Sequence, residues 1–492
     1  MKPEIVLAIL IGYFAILILV AYFTSKKAGN DSFFLGNRKS PWYIVAFGMI
    51  GASLSGVTFI SVPGWVGSSE FSYMPMVLGY LVGYVVIANI LMPLYYKLNL
   101  TSIYSYLEGR FGKATYKTGA SFFLLSRVIG ASFRLFLVAN VLQFVIFSAW
   151  GIPFELTVFI TIALIWLYTF KGGIKTIIWT DTLQTLFMLL AVGFSVYYIS
   201  GKLDLNFGEM VGAISNSEFS GMFLTDWSKG THFIQQFVSG IFITIVMTGL
   251  DQDMMQKNLS CKNIGDAKKN MYWFSLALIP VNLLFLSLGA LLFIFIAQTG
   301  IISPEHAEII SADADLLFPI VATQYMQPIV GIFFIVGLIA AAYSSADSAL
   351  TSLTTSFTVD ILGAVKKGEK RLRKTRIWVH VLFSFILMIA IMIFNLVNDQ
   401  SVIKSVFTAA GYTYGPLLGL YAYGLFTRKQ VIDKWVPLVA VLAPIITFLL
   451  NHFVIKNIEG YKIGFELLIL NGILTIIGLL IISTKSNNVE RV

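Results

Sequence analysis

Long apolar runs recur along the whole chain, and short polar or charged segments separate one run from the next. A helix of roughly 20 apolar residues is long enough to cross the hydrocarbon core of a bilayer, and about thirteen runs reach that length. They begin near Ile5, Trp42, Met74, Thr118, Glu155, Thr176, His232, Met271, Gln327, Ile377, Val402, Trp435 and Gly464. The pattern predicts an all-α integral membrane protein with about 13 transmembrane helices.

The segments between the runs are too short to form a soluble domain, so we treat residues 1–492 as one transmembrane domain. The two longest segments, 202–230 and 299–323, leave room only for short helices. Composition agrees, because 57% of the residues are hydrophobic, 12% are charged and the mean hydropathy is +0.82. We therefore expect a multi-pass protein of the cell membrane.

Basic residues are distributed unevenly between alternate loops. Most of the 34 Lys and Arg residues fall in one set of loops, which includes Lys257 and the group at 366–376. The other set holds only Lys2, Lys202, Lys229, Lys404, Lys456 and Lys462. Because cytoplasmic loops accumulate Lys and Arg, this partition predicts an N-terminus outside the cell and a C-terminus in the cytoplasm. The net charge of +9 then reflects this bias and anionic lipid headgroups, not nucleic-acid binding.

Residues typical of enzymes and metal sites are sparse. The single cysteine, Cys261, excludes an intramolecular disulfide, and the four histidines are scattered without metal-ligand spacing. The chain also has no pairing of nucleophile and base and no phosphate-binding loop. We therefore expect a protein that is not an enzyme.

Three of the apolar runs are interrupted by glycine and small hydroxyl residues, at 48–58, 244–252 and 408–416. Irregular backbone inside a membrane is tolerated where it lines a cavity or is buried in protein. Corresponding breaks in the two halves of a chain point to an inverted-repeat transporter with its site at the midplane. Close packing between helices is the alternative explanation for the glycines.

The run that begins near Gln327 becomes unusually polar between Ser344 and Thr355, where hydroxyl side chains surround Asp347. An ionisable residue in hydrocarbon is costly and marks a functional site by default. The carboxylate and the hydroxyls offer only oxygen ligands, which suit a hard cation such as Na+.

The chain resembles the sodium/solute symporter family in four segments, and the resemblance covers nearly its whole length. The segments are residues 53–60, the Gly-Gly-x5-Trp-Thr-Asp-x2-Gln pattern within 171–184, residues 251–257 and the helix that runs from Ser344 to Asp360. The motifs are most similar to those of the family's bacterial sodium/sialic acid symporters. The resemblance implies a leucine-transporter-like core of two five-helix inverted repeats, at 41–200 and 231–427. One extra helix precedes this core and two follow it, at 433–484.

The resemblance also implies a principal Na+ site between the first and eighth core helices. Carried over by position, its ligands are the backbone carbonyls of Gly51, Leu54 and Ala341 and the hydroxyls of Ser344 and Ser345. An unwound helix frees carbonyls that have no partner within the helix, and adjacent serines complete a small oxygen cage.

A second Na+ site of some relatives is matched by Asp181 of the Trp-Thr-Asp motif together with Ser344 and Ser348. Asp347 replaces a serine of that pattern and shares a helical face with Ser344 and Ser348. Two carboxylates at one site hold either a second Na+ or a proton. The alternative is a structural ion pair between one of the aspartates and an arginine inside the membrane.

Arg134 aligns with the arginine that holds the substrate carboxylate in the sialic acid symporters, and a planar guanidinium suits a carboxylate. Arg127 lies seven residues earlier, and either arginine is able to neutralise a buried aspartate instead. Sugar symporters have an amide and an acid where this chain has Ser53 and Val57, which argues against galactose-like recognition. Tyr73 matches an outer aromatic gate. The candidate substrate-binding residues are Ser53, Ser55, Thr58, Tyr73, Tyr80, Arg134 and Thr244.

We expect a monomeric symporter that uses Na+ and alternating access to carry a carboxylated sugar such as sialic acid. A neutral sugar or inositol is the alternative solute, with Arg134 in a structural role. A membrane sensor on the same scaffold is the alternative of another class, and the short polar tail at 484–492 argues against it.

Overall fold

The computed structural model describes residues 3–25, 29–397 and 402–484, and most of them are helical. The strands in the described part are β1 (Gln430–Val431) and β2 (Ser483–Thr484), which pair antiparallel. The first ten helices are α1 (Pro3–Ser25), α2 (Asn30–Leu35), α3 (Trp42–Gly56), α4 (Val62–Ser69), α5 (Tyr73–Val86), α6 (Met92–Lys97), α7 (Ser105–Arg110), α8 (Lys113–Leu142), α9 (Phe154–Gly172) and α10 (Ile174–Lys202).

Twelve further α-helices follow in the described part of the chain after residue 202. They are α11 (Phe207–Ser215), α12 (Phe233–Thr244), α13 (Gln252–Leu259), α14 (Ile264–Thr299), α15 (Pro304–Ala312), α16 (Leu317–Ile320), α17 (Pro328–Ser356), α18 (Glu369–Val397), α19 (Val402–Thr413), α20 (Gly415–Phe426), α21 (Val436–Phe453) and α22 (Leu467–Ile481). Wider π-helical turns join α3 to α4 and α5 to α6, and they extend α8, α12 and α17.

The helices account for the apolar runs of the sequence. Nine helical stretches in the described part are long and apolar enough to cross a membrane, and the bent pair of α12 and α13 makes a tenth. Three shorter apolar helices follow the same pattern, at Phe154–Thr169, Gly415–Phe426 and Leu467–Ile481. The predicted all-α membrane fold with about 13 crossings is thereby confirmed.

The two long loops contain short helices, as the sequence suggested. Asn206 caps α11 by accepting from Glu209 N at 3.0 Å, and the Glu209 carboxylate accepts from Asn206 N at 2.8 Å. Ser303 caps α15 by accepting from His306 N at 3.3 Å. These side chains satisfy backbone N–H groups that have no partner within the helix, and so fix where each helix begins.

All three predicted interruptions are breaks in the backbone. Ser55 adopts φ 50° and ψ 177° between the helical turns of α3, a conformation that non-glycine residues seldom take. The chain bends by 65° between α12 and α13, just after Gly249. The third break separates α19 from α20, and Pro416 lies in the first turn of α20. A proline in that position cannot continue the preceding helix.

Two glycines bring α3 directly against α10. A Cβ atom on Gly48 would lie 3.1 Å from Asp181 Cβ, and one on Gly51 would lie 2.2 Å from Thr185 Oγ1. Gly51 N donates to Thr185 Oγ1 at 3.1 Å, and this hydroxyl donates to the Asp181 carbonyl at 2.7 Å. Because α17 packs against both helices, the broken part of α3, the aspartate of α10 and the polar face of α17 meet in the core.

Candidate functional site

The break in α3 borders a cavity of about 90 Å³ inside the helical bundle. Residues from α3, α5, α8, α12, α13, α14 and α19, and from the π-helical turns after α3 and α12, form its walls. The seven residues that the sequence suggested for substrate binding all lie on these walls, namely Ser53, Ser55, Thr58, Tyr73, Tyr80, Arg134 and Thr244. The fold thus gathers residues from distant segments around one space, and their roles toward a solute stay predictions.

Other wall residues were missed by the sequence analysis. They include Tyr84, Thr248, Asn282 and Phe407. Thr248 follows Thr244 by four residues, so helical spacing within the polar patch at 244–252 was a usable signal. No comparable signal marks Asn282 or Phe407, because α14 and α19 reach the cavity only through tertiary packing.

Arg127 is held by an ion-pair network beside the cavity. Its guanidinium forms a hydrogen-bonded ion pair with Asp253 and lies 3.9 Å from Asp251 Oδ2. Tyr414 donates to the same Asp251 oxygen at 2.5 Å. Arg127 and both aspartates are buried, so this network neutralises charges that would otherwise be costly in the membrane. The aspartates that it neutralises follow the α12–α13 break, and they are not the Asp181 or Asp347 that the sequence analysis had considered.

Arg134, two turns further along α8, has a different environment. In the described part of the chain no carboxylate forms an ion pair with Arg134, and its Nε atom has no hydrogen-bond acceptor. The side chain lines the cavity. A guanidinium that is out of bulk water and lacks a counter-ion favours an anionic ligand.

Asp181 is paired with a lysine that the sequence analysis had placed in a cytoplasmic loop. Lys257 Nζ lies 2.7 Å from Asp181 Oδ2, and both side chains are 1% exposed. The earlier placement of Lys257 was wrong because the seventh span continues after its break as α13, so the loop begins only beyond Leu259. The structural ion pair that was considered as the alternative to a second cation site therefore exists at Asp181, but its cation is a lysine and not an arginine.

Asp347 lies on α17 close to this pair, and its carboxylate already has protein donors. Tyr168 donates to Asp347 Oδ2 at 2.9 Å, and Ser348 N donates to Oδ1 at 2.5 Å. Asp181 also has the Ser344 hydroxyl beside it, although the two do not meet hydrogen-bond geometry. The four residues suggested for a second Na+ site, Asp181, Ser344, Asp347 and Ser348, are thus close to one another with the Lys257 ammonium among them.

The hydroxyls of Ser344 and Ser345 are buried and have no hydrogen-bond partner. This is unusual for serines within a helix, which commonly bond to the carbonyl of the preceding turn. Ser348 and Thr351 on the same helix also lack a partner, whereas Ser352 and Thr355 donate to carbonyls of the preceding turn at 3.0 and 2.8 Å. Ala341 is equally buried, one turn before Ser345.

The other suggested Na+ ligands lie on α3, which packs against α17. Leu54 immediately precedes the non-helical Ser55, and its carbonyl accepts from Val57 N across the break. Gly51 is one turn earlier, at the contact with α10. The five suggested ligands therefore lie on two adjoining helices, and a Na+ between them stays a prediction.

Five rings, which we call the aromatic layer, lie at one end of the cavity. Tyr73 packs edge-on against Trp65 and Tyr80, with ring centroids 6.1 and 6.3 Å apart, and the two tyrosine hydroxyls are 3.0 Å apart. Phe465 continues the layer, 6.4 Å from Trp65 and 4.7 Å from Phe407. Beyond the layer lies a vestibule of about 1340 Å³. Tyr73 was expected at such a gate, whereas Trp65, Phe407 and Phe465 were not.

Comparisons with known proteins agree with this architecture. A family model described as the sodium:solute symporter family matches residues 33–431. The sodium/sialic acid symporter NanT of Aliivibrio fischeri is 26% identical over 446 residues, which cover 88% of this chain and 85% of that protein. The sodium/sialic acid symporter SiaT of Proteus mirabilis is 25% identical over 453 residues, 89% of this chain and 88% of that protein. The substrate-bound, outward-open structure of a Na+-coupled sialic acid symporter superimposes with a TM-score of 0.82, at 21% identity and 97% coverage of both chains.

Proposed function

The chain belongs to the sodium:solute symporter family, and from this premise we propose that the solute it carries with Na+ is a carboxylated sugar, with sialic acid as the specific candidate. Na+-coupled symport of a small solute across the cell membrane follows from the family and from the relatives. The proposed identity of the solute rests on the side chains that line the cavity.

The observation that carries the proposal is the unpaired guanidinium of Arg134. A carboxylate on the solute would supply the missing counter-ion through charge-assisted hydrogen bonds, bidentate where the geometry allows. The hydroxyls of Ser53, Ser55, Thr58 and Thr244 would meet hydroxyl groups of a sugar on the neighbouring walls. Both curated relatives reported above are named as sialic acid symporters, which supports the same class of solute.

We assign one Na+ to the interface of α3 and α17, with Gly51, Leu54, Ala341, Ser344 and Ser345 as its ligands. The two buried serine hydroxyls without partners support this assignment, because each would otherwise cost free energy in the folded state. At the suggested second Na+ site, formed by Asp181, Ser344, Asp347 and Ser348, the Lys257 ammonium neutralises Asp181. We propose that this ammonium takes the place of a second Na+.

We infer that α3–α10 and α12–α20 form two repeats of five crossings, which agree with the suggested bounds 41–200 and 231–427 to within two residues. Each repeat begins with a broken span, the property expected of a site shared between inverted repeats. With the N-terminus outside, the aromatic layer closes the extracellular side of the cavity and the Arg127 network lies toward the cytoplasm. Na+ and solute binding would then shift the equilibrium between outward-facing and inward-facing arrangements.

Uptake into proteoliposomes tests this proposal. Purified protein is expected to accumulate labelled N-acetylneuraminate in an inward Na+ gradient, and to lose this uptake when choline replaces Na+. Unlabelled sugars, inositol and monocarboxylates at tenfold excess serve as competitors. Strong competition by neutral sugars, with none from N-acetylneuraminate, would contradict a carboxylated solute and leave Arg134 with a structural role.

A further inference from the structure

The vestibule outside the aromatic layer has an unusual charge distribution. Its lining in the described part of the chain includes four lysines and a histidine but no Asp or Glu: Lys229, Lys404, Lys456, Lys462 and His452. All four lysines are solvent-exposed. Only six lysines belong to the loops assigned to the extracellular side, and four of them converge on this one space.

The lysines come from three separate parts of the chain. Lys229 lies in the loop before α12, Lys404 lies in the first turn of α19, and Lys456 and Lys462 lie between α21 and α22. None of them forms an ion pair in the described structure. Their convergence is therefore a property of the fold and not of a local basic run.

One acidic side chain beside the vestibule, Glu466, makes hydrogen bonds that hold the loop in place. Glu466 accepts from Gln235 Nε2 at 2.7 Å, from the Tyr461 hydroxyl at 2.8 Å and from Gly464 N at 3.0 Å. Those bonds tie the α21–α22 loop to α12. The Glu466 carboxylate is thus engaged with neutral donors. Asp226 and Glu459 lie near Lys229 and Lys456 in the sequence, but neither lines the vestibule or forms an ion pair with these lysines in the described structure.

We propose that this vestibule is an anion-collecting site, which draws the solute carboxylate from the extracellular medium to the aromatic layer. The inference rests on the proposed function, because it requires an anionic solute. A cleft lined by charge of one sign focuses the electric field and raises the local concentration of the opposite ion. Hydroxyl groups of Ser68, Thr231 and Thr408 lie on the same walls, and they offer hydrogen bonds to a hydroxylated anion.

The position of the vestibule relative to the inner cavity supports this role. Trp65 and Phe465 of the aromatic layer line the vestibule, whereas Tyr73 and Phe407 line the inner cavity. One layer of rings therefore separates the lysines from Arg134. When the rings of the aromatic layer separate, an anion that leaves the lysines would next meet the Arg134 guanidinium, which has no carboxylate partner in the described structure.

Thiol-reactive probes measure the potential of the vestibule without any assumption about the solute. Ser68→Cys places a thiol on the exposed vestibule wall, and Ser311→Cys places a control thiol on the exposed face of α15. The native Cys261 is buried, so background labelling of the wild-type protein is expected to be low. The reagents are an anionic and a cationic methanethiosulfonate.

We expect the anionic reagent to be favoured at Ser68→Cys by about tenfold over the control thiol, the low end of the range for charged clefts. Triple replacement of Lys404, Lys456 and Lys462 by Gln is expected to remove most of this preference, and Lys202→Gln is expected to leave it unchanged. A reagent preference that is equal at both thiols, or is insensitive to the triple replacement, would overturn the proposal.

Uptake kinetics test whether the positive potential of the vestibule helps the transporter to capture its solute. In the triple Gln variant, KM for N-acetylneuraminate is expected to rise by about tenfold at low ionic strength, with Vmax unchanged and a smaller effect at high salt. An unchanged KM at low salt would overturn the role in solute capture. Absence of any Na+-dependent uptake in the wild-type protein would instead contradict the proposed function, while the probe rates would still decide the charge of the vestibule.

An anionic lipid headgroup has the same chemistry as the solute and is the competing occupant. Vesicles of phosphatidylcholine alone and vesicles that also contain phosphatidylglycerol separate the two. The proposal predicts the same reagent preference in both. A preference that is lost when phosphatidylglycerol is present would show a headgroup on the lysines and would overturn solute capture.

Discussion

At the residue scale, the two arginines of α8 show how partners decide a side chain's role. Arg127 and Arg134 are seven residues apart, and the sequence suggested Arg134 for the substrate while leaving either arginine able to neutralise a buried aspartate. In the structure both arginines line the cavity, but Arg127 is paired with Asp253 and Asp251, whereas Arg134 has no carboxylate partner in the described part of the chain. Only the unpaired cation is able to recognise an anion without breaking an existing ion pair.

Replacement of Arg134 by Gln is expected to weaken uptake of N-acetylneuraminate selectively. A hydrogen bond to a charged group contributes about 1.5–3 kcal/mol, so KM should rise by about 10- to 150-fold. The methyl ester of the solute is the control, because it lacks the charge that Arg134 would bind. Equal KM values of the variant and the wild-type protein for the acid would contradict the assignment.

The Na+ site predicts a difference between two serines of the same helix. Ser345→Ala removes a hydroxyl that has no protein partner, whereas Ser352→Ala removes one that donates to the Ala349 carbonyl at 3.0 Å. We expect the Na+ concentration for half-maximal uptake to rise about tenfold in Ser345→Ala, for a loss near 1.4 kcal/mol, and to stay unchanged in Ser352→Ala. Similar Na+ dependence of both variants would place the cation elsewhere.

The buried Lys257–Asp181 pair predicts non-additive effects on stability. Lys257→Met or Asp181→Asn alone leaves one charge without a partner in the core, at a cost of about 3–5 kcal/mol. The double variant removes both charges and should recover much of that loss, as measured by thermal unfolding in detergent. Additive losses in the double variant would show that the pair is not coupled.

At the element scale, close approach between helices depends on glycines that face each other's backbone. A Cβ atom on Gly79 of α5 would lie 2.1 Å from the Phe237 carbonyl oxygen, and one on Gly240 of α12 would lie 2.2 Å from the Met76 carbonyl oxygen. Gly79 and Gly240 therefore serve close packing between α5 and α12, as small residues often do between membrane helices. At Ser55, by contrast, the irregular backbone borders a cavity, so the functional explanation applies there.

Gly240→Ala is consequently expected to destabilise the protein, and Gly193→Ala is its matched control. The added methyl group in α12 would meet backbone that cannot move without displacing α5, for which overpacking costs about 1–3 kcal/mol. Gly193 of α10 has no neighbour within 4 Å of an added Cβ. Thermal unfolding should show a lower Tm for Gly240→Ala only, and equal values would contradict the close contact.

At the scale of the whole molecule, the pairing of buried charges bears on the proposal that one Na+ is carried. Lys257 neutralises Asp181, and Arg127 lies between Asp251 and Asp253. Asp347 accepts from Tyr168 and from its own backbone neighbour. At the second set of ligands, Lys257 already supplies a positive charge, whereas no ion pair involves the helix α3 residues suggested for the first site in the described part of the chain. This difference supports the proposal of a single Na+.

Symport of one Na+ with one monoanion moves no net charge, so uptake should be insensitive to membrane potential. Each net charge moved across 100 mV would otherwise add about 2.3 kcal/mol to the driving force. Potassium diffusion potentials set with valinomycin in proteoliposomes measure this directly. Faster accumulation with a negative interior would show a second cation and would contradict the substitution of Na+ by Lys257.

The sequence by itself determined the membrane class, the number of crossings and the places where the helices break. Apolar length has to match a bilayer, and glycine with hydroxyl residues loosens a helix locally, so both signals lie within single segments. The family motifs also located Asp181, Arg134 and the serine pair. These features need no knowledge of which helices are neighbours.

Only the tertiary structure decided which charges are paired and which are free. Whether Arg127 or Arg134 meets an aspartate depends on the direction in which α13 leaves its break, and the same bend carries Lys257 from an expected loop to Asp181. The convergence of lysines from three loops on the vestibule is likewise set by the packing of α12, α19 and the α21–α22 loop. Pairing depends on distances of a few ångströms between segments far apart in the chain, and local patterns do not encode such distances.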